Sequence, residues 1–135
     1  MRRAAFLVTL LAVALCSGPA AAWTGAPAGD AQAAWRLGLK YRNGAGVEPD
    51  AVRAGQLMRL AAQGQVPAAM FTLSNMLAAG EGMTADPAAA RRWLEDAAAL
   101  GYPAALQQLA LSEPDPRKAE LLMRQAAHAL QHTKR

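Results

Sequence analysis

His128 and His132 stand four positions apart near the C-terminus, the spacing that sets two imidazoles on one helical face and begins a metal site. Two ligands do not make a structural zinc site, and neither a cysteine nor a carboxylate cluster accompanies them. The pair reads as the solvated end of a last helix, where positive charge favours the C-terminus. Thr72, Ser74 and Ser112 offer hydroxyls, but no histidine and acid stand with any of them in a pattern that would activate a nucleophile. Glu95 and Asp96 are adjacent, so they leave a helix in different directions and form a solvated face rather than an acid and base pair. Asn43-Gly44-Ala45-Gly46 and Gly80-Glu81-Gly82 have the glycines of a phosphate loop, yet no strand precedes them and no Gly-Lys-Ser/Thr follows. The residues therefore point to a protein that is not an enzyme, with no catalytic group, no cofactor and no metal.

The aspartates have a different role. Asp50, Asp86 and Asp115 each stand before a run with one apolar helical face, where a carboxylate accepts bonds from the free N–H groups of the first turn. Pro87 and Pro116 follow at the first helical position, where a missing donor costs nothing. The runs themselves are Ala54, Leu57, Met58, Ala61, Ala62; then Ala90, Trp93, Leu94, Ala97, Ala98; then Ala119, Leu122, Met123, Ala126, Ala127. All three keep the spacing i, i+3, i+4, i+7, i+8.

These runs belong to a longer periodicity. Displaced by 36 positions, residues 31–66 fall onto 67–102, with Ala33 on Ala69, Leu37 on Leu73, Gly44 on Gly80, Gly46 on Gly82 and Asp50 on Asp86. A period of that length marks stacked repeats, each here a helix, a glycine turn and a second helix. Gly38, Ser74 and Ala110 put small residues where first helices can approach their neighbours closely. The third unit is defective: Leu109 to Asp115 spans 6 positions where Leu73 to Asp86 spans 13, and the double-glycine turn is gone. Shortened units close the ends of solenoids, so 103–131 reads as a terminal cap.

The first 22 residues read as an export signal, with Arg2 and Arg3, an apolar run from Ala4 to Leu15, and Ala20-Ala21-Ala22 as a cleavage site. The apolar run is shorter than the roughly 20 residues a bilayer requires, so no integral membrane span is expected. Cys16, the single cysteine, follows the bulky Leu15 rather than the small residue of a lipid-attachment site, so lipid anchoring is not expected. Removal of 1–22 leaves 113 residues, no cysteine, and 12 basic against 10 acidic residues, a net of +2 too evenly spread for nucleic acid. Residues 23–30 then form a flexible lead-in and 132–135 a tail.

With Ala31, Ala33, Leu37, Gly38, Tyr41, Gly44, Gly46, Val47, Asp50, Ala54, Ala61 and Ala62 in place, the chain resembles the Sel-one-like repeat family, a relative of the tetratricopeptide repeat. The resemblance covers 31–131, as repeats 31–66, 67–102 and 103–131. It departs from the pattern at Ser74, at Leu77 and at Gly64, which sits one position earlier than Gly101. It implies an all-α, right-handed superhelix that acts as an exported bacterial adaptor or scaffold, periplasmic or secreted. On the first helices, which line the inner surface of such a solenoid, Arg36, Lys40, Thr72, Asn75, Met76 and Gln108 are the candidate partner-binding residues. Arg36 and Lys40 offer a basic spot and Met76 an adaptable apolar contact. The expected partner is a protein or peptide of the cell envelope, acidic or amphipathic. The alternative role is a structural module in the envelope that self-associates weakly.

Overall fold

Each helix starts where the sequence supplies a cap or a proline. In the computed structural model, which describes residues 30–133, the elements are α1 (Ala31–Asn43), α2 (Ala51–Gln63), α3 (Pro67–Ala79), α4 (Pro87–Ala99), α5 (Pro103–Ser112) and α6 (Pro116–Thr133). The expected export signal, the lead-in apart from Asp30, and Lys134 and Arg135 lie outside the described residues. Asp50 and Asp86 accept the N–H groups of Arg53 and Ala89 at 3.0 and 2.9 Å, and Asp115 that of Arg117 at 3.0 Å. Asp30, assigned by sequence to the lead-in, caps α1 in the same way through Ala33 at 2.9 Å.

The principal contacts join helices consecutive in the chain, α1 to α2, α2 to α3 and so on to α6. The result, among the described residues, is an all-α superhelix of three helical pairs with no strand. In the first two pairs the double-glycine turn is closed identically, with the Asp50 N–H donating to Tyr41 O and the Asp86 N–H to Leu77 O, both at 2.9 Å. The third pair lacks that turn, and α5 has 10 residues where α1 and α3 have 13.

The second-helix faces are buried according to their place in the stack. Ala54, Leu57, Met58, Ala61 and Ala62 are all buried; Trp93 and Ala98 in α4 are half-buried; in α6 only Ala126 is buried, while Met123 is 44% exposed. The uniform packing face expected of all three fails at the last, because α6 rests on α5 and, among the described residues, no further pair covers its other side. Trp93, which its spacing puts on the packing face, lies at the margin of the core, half-buried against it.

The small-residue positions do bring helices together. A Cβ on Gly38 would stand 3.0 Å from Met58 Cε, 3.2 Å from Leu57 Cβ and 3.5 Å from Ala54 O. At the matching position Ser74 is buried and its hydroxyl donates to Ala90 O at 2.7 Å, so the polar atom enters the core with a partner.

Helices α2 and α4 end alike. Gln65 N–H donates to Ala62 O and Val66 N–H to Ala61 O; Gly101 N–H donates to Ala98 O and Tyr102 N–H to Ala97 O, the paired bonds of a Schellman motif. Its left-handed position holds Gly101 (φ 76°) in one repeat and Gln65 (φ 63°) in the other. Gly64 is displaced because a Cβ there would overlap that of Ala31 in α1. At the matching place α6 has Ala129-Leu130 and simply continues, two residues past 131 to Thr133.

Candidate partner-binding face

Because α1, α3 and α5 are copies displaced by 36 residues, Arg36, Thr72 and Gln108 share one position, Leu39, Asn75 and Leu111 a second, and Lys40, Met76 and Ser112 a third. The first two positions form a ladder across the helices, since Gln108 Nε2 donates to Asn75 Oδ1 at 3.3 Å. Arg36 is exposed at one end; Leu39, Thr72, Asn75 and Gln108 are half-buried; Leu111 is 81% exposed at the other end. The Thr72 hydroxyl donates to Ala68 O at 2.8 Å, which turns it back onto its own helix. Leu39 and Leu111 were not singled out in the sequence; the 36-residue register was the signal that places them beside Arg36, Thr72 and Gln108.

The third position is different. Met76, a candidate contact for a partner, is fully buried and so is not on the surface. Its Cε approaches Gly55 of α2, 3.7 Å from where a Cβ would stand, because α3 lies between two helical pairs. Lys40 takes the same position on α1, where the described residues place no pair before it, and is exposed. Arg36 and Lys40 are thus both exposed, but Lys40 holds the position of the buried Met76 and Arg36 lies on the ladder.

Charge also ties adjacent pairs together. Arg42 at the end of α1 makes a two-bond fork with Glu81 in the turn after α3, Nε to Oε1 at 2.9 Å and Nη2 to Oε2 at 3.0 Å. The bonds to Arg42 hold the Glu81 carboxyl below its ordinary value, and those to Glu81 raise that of the guanidinium. The Arg53 guanidinium lies 5.6 Å from the centre of the Tyr41 ring, with its Nε 3.2 Å from Asp50 Oδ2.

Other polar groups lie in bonds within the fold or on its exposed faces. Ser112 Oγ donates to Leu109 O at 3.0 Å and accepts from Arg91 Nη1 at 3.4 Å. Glu95 and Asp96 are exposed, and Glu95 accepts from Arg91 at 2.6 Å. His128 and His132 lie on the exposed side of α6 with ring nitrogens 3.2 Å apart. Among the described residues no three His, Cys, Asp or Glu side chains gather as a ligand set. A cavity of about 570 Å³ opens between α4, α5 and α6 against Leu106, Arg124 and His128, and one of about 480 Å³ adjoins it at Leu100, Tyr102 and Leu130. No helix among the described residues is long and apolar enough to cross a membrane.

Known proteins share this architecture. The Sel1 repeat family matches the chain at residues 31–65, 67–102 and 106–129. A Sel1 repeat protein from Oxalobacter formigenes, solved as a crystal structure, is similar with a TM-score of 0.72 and 25% identity, over 76% of this chain and 44% of that one. A protective antigen present in uropathogenic Escherichia coli strains, which displays an SLR fold, is similar with a TM-score of 0.66 and 26% identity, over 75% of this chain and 23% of that one. The chain thus spans less than half the length of either. No curated protein matches it.

Proposed function

The chain belongs to the Sel1 repeat family, and from that membership we propose that it is a non-catalytic adaptor holding a protein or peptide partner along the α1, α3, α5 ladder. Proteins of this family are generally interaction scaffolds. The observation that carries the reading is the Asn75–Gln108 pair, set between a cation at Arg36 and an open apolar side chain at Leu111. Each amide uses part of its bonding capacity on the other and keeps the remainder for a partner. A segment that is acidic toward α1 and apolar toward α5 complements such a face.

The export pattern in residues 1–22 supports a periplasmic or secreted location, with an envelope protein as partner. Cross-linking in intact cells followed by mass spectrometry is expected to capture that partner. Its affinity should then fall about tenfold or more when Arg36→Glu and Gln108→Glu are combined, with the melting temperature preserved. Unchanged affinity in a folded variant would show that the partner lies elsewhere.

A further inference from the structure

We infer that copies of this chain associate head to tail, with α6 of one copy seated on α1 of the next in the register that the internal repeats already use. The inference goes beyond the adaptor reading, and its charged pair, Glu120 with Lys40, lies off the ladder. It comes from what each end of the stack presents. On second helices, the position of Met58 and Leu94 is filled in α6 by Met123, and exposure at that position runs 0%, 5% and 44% along the chain. On first helices, the position of Leu73 (0%) and Leu109 (7%) is filled in α1 by Leu37, which is only half-buried. Each end of the described stack therefore leaves more open an apolar position that is buried in the other pairs.

The internal junctions specify which residues would meet. Where α2 meets α3, Gly55 lies against Met76; where α4 meets α5, 36 residues on, Arg91 bonds Ser112. Counting from the helix caps Asp50, Asp86 and Asp115, the corresponding position of α6 is Glu120, and that of α1 is Lys40. Carrying the register across the ends sets the carboxylate of one copy opposite the ammonium of the next. A second pair follows independently: Asn75 bonds Gln108 inside the stack, and the same step across the ends sets Leu111 against Arg36. The aliphatic stem of that arginine would cover the 81% exposed Leu111 while its guanidinium stayed in water. Among the described residues Glu120 pairs with Arg124 on its own helix at 2.6 Å, both side chains well exposed, so exchanging partners costs little. The contact is heterologous, and it builds rings or filaments instead of closed two-fold dimers.

Sedimentation velocity on the protein as recovered from its producing cells tests this, over concentrations up to roughly 1 mM at low ionic strength. The average mass is expected to rise with concentration. Lys40→Glu and Glu120→Lys should each shift the midpoint upward by about five- to tenfold. Mixing the two singly substituted chains should restore association to within about twofold of the original, because opposite charges then meet at every junction. A misfolded variant would not be rescued by another. A mass independent of concentration, association indifferent to both reversals, or a mixture no better than its components would each overturn the inference.

Discussion

Lys40 and Met76 hold the same position of one repeat, yet one is in water and the other in the core. A residue's role here depends on how many helical pairs lie on either side of it. The same lesson governs Gln65, which carries a side chain at φ 63° where the next repeat has glycine. Non-glycine residues in this region bear a steric cost of roughly 1 kcal/mol or more. Gln65→Gly removes that cost and gives back part of it as lost backbone restriction, so a net gain of about 0.5–1 kcal/mol is expected in urea unfolding. Gly64 offers no such freedom, because Ala31 occupies the space its side chain would need. An unaltered midpoint for Gln65→Gly would show that the turn relaxes around the glutamine.

Element boundaries follow local chemistry closely. Aspartate caps and first-turn prolines set the starts, Schellman turns set the ends of α2 and α4, and without such a turn α6 runs on. Tertiary position decides how much each helix contributes. Trp93→Ala removes a large but half-buried side chain, so a loss of about 2–3 kcal/mol is expected, below the range for fully buried aromatic residues. Thermal unfolding checks this, and no change would place the indole outside the packed surface. The fork between Arg42 and Glu81 links α1 to the second repeat and makes a small part of stability depend on pH. Since folding lowers the Glu81 value from 4.5, its contribution is present above about pH 4.5 and is lost as pH falls through the folded value. The side chains are about a third exposed, which limits the contribution to less than about 1 kcal/mol. Comparing melting temperatures of the original chain and Glu81→Gln, the difference should be present at pH 7 and shrink as pH falls below 4.5.

At the scale of the whole molecule, contacts run almost entirely between neighbours, so the stack behaves as a sum of pairs and junctions. Among the described residues, the outermost helices α1 and α6 carry residues suited to further junctions. The ladder of α1, α3 and α5 runs to both ends, so head-to-tail association would lengthen one continuous face for a partner. The stacking test changes Lys40 and Glu120, neither of which lies on the ladder, so it leaves the partner-binding residues intact; Arg36 takes part in both readings, and Gln108 in the partner test alone.

The sequence by itself determined the helices, their caps, the 36-residue period and the defect in the third unit. These depend on side chains acting within a turn or two of their own backbone. It also identified Arg36, Thr72, Asn75 and Gln108 as first-helix residues outside the main packing stripe. Only the tertiary structure decided that Met76 is core, that Lys40 is exposed, that Trp93 is marginal, and that Asn75 and Gln108 meet. Burial at a repeat position is set by the pairs stacked on either side, and identical local patterns carry no record of which neighbours are present.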